Sequence, residues 1–146
     1  MAPDPHAPLQ PLARRQAFDQ HPVSVRAARE FVTRTLTGWG VRDRRDDVRL
    51  CVSELATNAL LHGGDRTCGF LVAMSINDAV LRVEVHDASS EMPRTRTPDD
   101  GSNTGRGLFL VAECADGWGV DETGPLKAVW AEFKAVHIRR PEVVSL

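Results

Sequence analysis

Apolar positions along the chain change period several times, and each change marks an element. Val25, Ala28, Val32, Leu36 and Trp39 recur at helical spacing, which predicts a first helix opened by Pro22 and Ser24, with Ser24 as N-cap and Gly40 at the C′ position. A second helix is expected over about 46–62, with Val48, Cys51, Val52, Leu55 and Ala59 on its core face, Asp46 and Asp47 at its positive end, and Gly63-Gly64 as its stop. From Thr67 to Ile76 the even positions Cys68, Phe70, Val72, Met74 and Ile76 are apolar, so a strand is expected there. Asn77-Asp78 then supplies turn chemistry. Between Val80 and Asp87 the alternation is clean, with Leu81, Val83 and Val85 on one face and Arg82, Glu84 and His86 on the other. A third helix over about 106–115 and a hairpin of strands near 118–121 and 127–136 complete the pattern, and a weak strand over about 13–19 precedes it. The order predicts an α+β fold: a two-layer sandwich whose mixed, mostly antiparallel sheet is covered on one face by about three helices.

The rest of the chain sets the boundaries. Residues 1–11 are rich in proline and read as a disordered tail, 12–137 as one domain and 138–146 as a C-terminal tail. No apolar run approaches the ~20 residues that span a bilayer, and no secretion signal is recognisable, so the cytoplasm is the expected location, without membrane attachment. The segment 88–104 carries Pro93, Pro98 and Gly101 and is long for a connection in a compact domain, as lids and binding loops are.

Charge excludes one class of function. A net charge of -2, from 18 basic and 20 acidic residues, is not the balance of a nucleic-acid binder. The basic cluster Arg42, Arg44, Arg45 and Arg49 is interleaved with Asp43, Asp46 and Asp47 and reads most simply as a solvated helix entrance. Cys51, Cys68 and Cys114 form no metal-binding or disulfide pattern and read as small core residues.

Candidate chemistry gathers at three places. Glu54 and Asn58 lie four residues apart, hence on one face of the second helix and away from its core face. A carboxylate there can accept a proton and a carboxamide oxygen can ligate a hard cation; taken alone, the pair reads more simply as a solvated polar stripe. Asp87 continues the parity of Leu81, Val83 and Val85, so it projects toward the apolar side of the sheet, where it would either accept a hydrogen bond from a ligand's amino group or cap the following turn. Gly105, Arg106, Gly107 and Leu108 open the third helix. Glycines there permit close approach of a phosphate to a helix N-terminus, or simply make a flexible helix start. His62, at a helix end, reads as a dipole partner rather than a catalytic base. Trp39, Trp118 and Trp130 read as core or partner-face residues.

The combination Glu-Leu-x-x-Asn-x-x-x-His-Gly (54–63), His86-Asp87, Gly-Arg-Gly-Leu (105–108) and Trp118-Gly119-Val120 with Val129-Trp130 resembles the ATP site of the GHKL (Bergerat-fold) superfamily. Together with Ser-Val-x-x-Ala-Arg-x-Phe-Val (24–32), it is most similar to the small bacterial anti-sigma-factor serine/threonine kinases, over roughly residues 12–135. The resemblance implies ATP and Mg²⁺ as cofactors. Glu54 would be the general base, Asn58 the Mg²⁺ ligand and Asp87 the acceptor of the adenine amino group. Gly105, Arg106 and Gly107, with Leu108 behind them, would close over the phosphates. It also implies a STAS-type anti-sigma-factor antagonist as phosphoacceptor, a sigma factor as sequestered partner, and a homodimer. Two positions depart from the pattern: Ser89 stands where a glycine is usual, and Ala128 follows Lys127 where a threonine is usual. They leave open a non-catalytic regulator of the same fold that uses ATP weakly or not at all. The catalytic half of a histidine kinase is not expected, because about twenty residues before the first helix cannot form a phosphoacceptor hairpin.

Overall fold

The computed structural model describes residues 12–62, 69–88 and 106–138. Its elements run β1 (Leu12–Phe18), α1 (Val23–Gly38), α2 (Arg45–His62), β2 (Phe70–Asn77), β3 (Val80–Asp87), α3 (Arg106–Cys114), β4 (Gly117–Asp121) and β5 (Lys127–Phe133). The five strands form one sheet in the order β1-β2-β3-β5-β4. Every neighbouring pair in it is antiparallel, so the described sheet has no parallel component. The expected α+β sandwich with three helices is therefore present.

The core lies between this sheet and the helices. Val72, Met74, Val83, Val85, Ala131 and Phe133 of the sheet join Val32, Leu36, Val52 and Leu55 of α1 and α2 in one cluster. All five apolar positions expected to face the core from α2 are buried, and Ala56 joins them. On α1, Ala28, Val32 and Leu36 are buried as expected, while Val25 and Trp39 pack at the margin.

Helix ends show where local chemistry was decisive. At the C-terminal end of α1, Gly40 adopts φ 73°. The Gly40 amide donates to the Thr37 carbonyl at 3.1 Å, and the Val41 amide to the Leu36 carbonyl at 2.9 Å. This double bond pattern satisfies the last carbonyls of a helix that stops at a left-handed residue. The N-terminal end differs from expectation. Pro22 is the cap residue and Ser24 is buried inside the helix. Pro22 already has helical angles, and the His21 ring Nδ1 accepts from the Val23 amide at 3.2 Å, so the imidazole does what the serine was expected to do.

The β2–β3 turn is shifted by one residue. Asn77 pairs with Val80, which leaves Asp78 and Ala79 as the two central residues. Both are left-handed, at φ 50° and 64°. That is the geometry of a tight two-residue hairpin, and it suits the twist of the flanking strands. An alanine is unfavourable there; its carbonyl is held by the Val136 amide at 2.9 Å.

The basic cluster at the start of α2 is more than a solvated entrance. Arg44 is left-handed (φ 59°), and its guanidinium lies 5.1 Å from the centre of the Phe133 ring. It donates to the Cys114 carbonyl at 2.6 Å and pairs with Asp116. The start of α2 is thus tied to the end of α3 and the end of β5. No helix among the described residues is long and apolar enough to cross a membrane.

Candidate functional site

Glu54 and Asn58 lie on a half-buried stripe of α2, beside the fully buried Cys51, Leu55 and Ala59. The stripe follows from helical spacing: residues one turn apart share a face, so the polar pair flanks the core without entering it. Thr57 on the same stripe returns its hydroxyl to the Ser53 carbonyl at 2.7 Å. Partial burial raises the Glu54 carboxyl above its ordinary value, because a half-desolvated carboxylate is harder to ionise. That shift moves it toward the range in which a carboxylate works as a proton acceptor near neutral pH.

Asp87 is the last residue of β3 and is buried, on the helix-covered side of the sheet, as its parity predicts. Directly opposite, in register, is Lys127, the first residue of β5. The ammonium lies 3.7 Å from Asp87 Oδ1, and both side chains are under a tenth exposed. A lysine at a strand end is commonly solvated, but Lys127 is buried. The signal was available: Lys127 shares the parity of Val129, Ala131 and Phe133, all buried on the core side. Residue 128 lies on the other face. Ala128 pairs with His86 and Asp121, so its side chain points away from Asp87. A hydroxyl missing at 128 is therefore not missing from Asp87's side of the sheet.

At the third place, Arg106 and Gly107 are the first two residues of α3, and Leu108 is buried in the core with Val111 one turn later. Leu108 anchors the start of the helix in the core. Gly105, Ser89 and the expected lid over 88–104, from residue 89 onward, lie outside the described residues, as do Gly63, Gly64 and Cys68. His62 is the last residue of α2, as expected. Cys51 is fully buried, and burial above all pushes its thiol up to about 12, which excludes it as a nucleophile at neutral pH.

A histidine kinase-like ATPase domain model matches residues 18–133, most of the chain and all three places. The chain belongs to that family. The resemblance read from the motifs is thus borne out at the level of the family, and ATP is the ligand class that such domains serve. Among solved structures, the chain is similar to the RsbU and RsbW domains of Rv1364c from Mycobacterium tuberculosis, with a TM-score of 0.65 and 19% identity. The likeness covers 90% of this chain and 34% of that one, so this chain spans about a third of its length. At that identity the likeness concerns the fold. No curated protein matches.

The residues fit a Mg-nucleotide. Among the described residues no group of three His, Cys, Asp or Glu side chains forms a protein cage for a metal. Mg²⁺ is commonly held by one or two protein oxygens together with phosphates, and Asn58 on the half-buried stripe can supply one.

Proposed function

We propose that this chain is an ATP-dependent protein serine/threonine kinase of the anti-sigma-factor type. Its phosphoacceptor would be a STAS-type antagonist, its sequestered partner a sigma factor, and its working form a homodimer in the cytoplasm. The observation that carries the reading is the pair Glu54 and Asn58: a carboxyl raised by burial with a carboxamide one turn further along the same stripe. A nucleotide-binding module needs the carboxamide; an enzyme that breaks the terminal phosphate bond, by transfer to a hydroxyl or to water, also needs the base beside it.

Phosphoryl transfer asks for positioning and charge neutralisation more than for covalent chemistry. Asn58 would hold Mg²⁺ against the phosphates, and Asp87 would accept from the adenine amino group. Gly105, Arg106 and Gly107 would receive the phosphates at the start of α3, where helix amides offer unpaired donors. Glu54 would take the proton of the acceptor hydroxyl as that oxygen bonds to the terminal phosphorus and the bond to the bridging oxygen breaks, releasing ADP.

A second reading is favoured by a different observation. Asp87 has a buried lysine directly opposite it, which competes with a base for the carboxylate. On this reading the fold binds its partners and uses ATP weakly or not at all. Incubation with labelled ATP and candidate STAS proteins separates the two. The kinase reading expects label on serine or threonine of the antagonist; an unlabelled antagonist that still binds tightly supports the second.

A further inference from the structure

The outward faces of α1 and α2 differ. On α1, Arg26, Glu30 and Arg34 are exposed one turn apart, and Arg26 pairs with Glu30 at 3.4 Å. That is an ordinary solvated helix face. On α2, Leu50, Glu54, Thr57 and Leu61 fall at i, i+4, i+7 and i+11, which is one stripe. Leu50 is 37% exposed and Leu61 54%, while Glu54 and Thr57 between them are half-buried. Glu54 is the one charged residue from Leu50 to Leu61. Thr57 donates its hydroxyl to the Ser53 carbonyl at 2.7 Å, so it has no donor left for a partner.

Two exposed leucines thus bracket the proposed base. A general base works at about 2.6–3.2 Å from the hydroxyl it deprotonates. At 1.5 Å per residue, Leu50 lies ~6 Å and Leu61 ~10 Å from Glu54 along the helix axis, in opposite directions. An extended segment of about five residues covers that whole length. A protein that presents a hydroxyl to Glu54 therefore lies across both leucines. We propose that Leu50 and Leu61 are docking contacts for the phosphoacceptor protein, which meets them with apolar side chains on either side of its acceptor hydroxyl. The proposal rests on the kinase reading above and adds to it how the acceptor is recognised: by uncharged contacts along α2. An acceptor seated there also covers Glu54 and keeps water from the terminal phosphate.

Leu50→Ser and Leu61→Ser remove the apolar contacts without adding a charge. Transfer from labelled ATP is measured against the concentration of the STAS-type protein that wild type labels, and Mg-ATP affinity by calorimetry. Each variant should bind Mg-ATP as wild type does, raise KM for the acceptor ~10-fold and reach the wild-type kcat at saturation. The increase should be the same at low and high salt, because no charge is involved. An unchanged KM in both variants overturns the proposal. A lower kcat with KM held also overturns it, since the leucines then act on Glu54 and not on the acceptor. A changed sedimentation coefficient with KM held makes the stripe a contact between copies of this chain. Loss of sigma-factor binding with KM held makes it the sigma-factor surface. Either outcome overturns the proposal and leaves the kinase reading intact. If wild type labels no STAS-type protein, the kinase reading itself fails, and the proposal fails with it. Leu61→Ser, at the more exposed position, decides the matter even where Leu50→Ser does not fold.

Discussion

Gly119 of β4 lies directly opposite Trp130 of β5, on the face of the sheet that the helices leave uncovered. A Cβ at Gly119 would come within 2.7 Å of the indole Cζ2. The indole in turn carries the Arg82 guanidinium, 4.4 Å from its centre, and Arg82 bonds Glu84 at 2.6 Å and Glu132 at 2.9 Å. The glycine makes room for the ring, and the ring seats the charged network.

Gly119→Ala should therefore displace Trp130 and destabilise the fold by ~1 kcal/mol, the low end of overpacking costs because the ring is only half-buried. Urea denaturation measures it. An unchanged midpoint, with unchanged indole fluorescence, would show that the ring has free space to move into.

Asp116 links Arg44 to the end of β5. Its carboxylate accepts from the Lys134 amide at 2.7 Å and pairs with Arg44; these two bonds, the amide's first, hold its pKa below the ordinary carboxylate value. A depressed pKa in the folded state gives stability that is present above the unfolded value, about 4, and is lost as pH falls through the folded one. Asp116→Asn should be less stable than wild type at neutral pH, with the gap closing in strong acid. Melting temperatures of both proteins across that range test it, and a gap independent of pH would count against it.

Glu54 has the opposite sign. Its folded pKa is raised by burial, so its contribution to stability is greatest below the unfolded value and declines as pH rises through the folded one. Glu54→Gln cannot ionise. It should be more stable than wild type at neutral pH, with the advantage fading in acid. It should keep nucleotide and partner binding and lose ~10²–10⁴-fold in phosphoryl transfer, the usual cost of removing a general base. Wild-type transfer should fall with decreasing pH along a limb lying above the ordinary glutamate value. Transfer by Glu54→Gln at the wild-type rate would assign the base to another group.

Asn58→Ala separates metal from base. It should weaken binding of ATP in the presence of Mg²⁺ and abolish transfer, since its carboxamide oxygen is the proposed metal ligand. Titrations with Mg²⁺ and with EDTA distinguish the cases: equal binding by wild type and variant in Mg²⁺ would remove Asn58 from the metal.

Asp87→Asn should weaken ATP ~10- to 100-fold, because a carboxamide beside Lys127 offers a weaker acceptor to the amino group. Equal affinities by calorimetry would move the base away from the end of β3.

Periodicity alone determined which face of each element meets the core. Val48, Cys51, Val52, Leu55 and Ala59 on α2, and Leu81, Val83 and Val85 on β3, are buried as their spacing requires. The same period placed Asp87 on the core side and put Glu54 and Asn58 on a shared stripe, and Gly40 ends α1 because one residue's conformational freedom suffices. These are local properties, fixed by 3.6 residues per turn and two per strand repeat. What lies opposite a residue is not local. Only the tertiary structure set β5 beside β3 with Lys127 against Asp87, and carried Arg44 across to Asp116. Register between strands distant in sequence is chosen by the whole core closing at once, which no period within a single strand encodes.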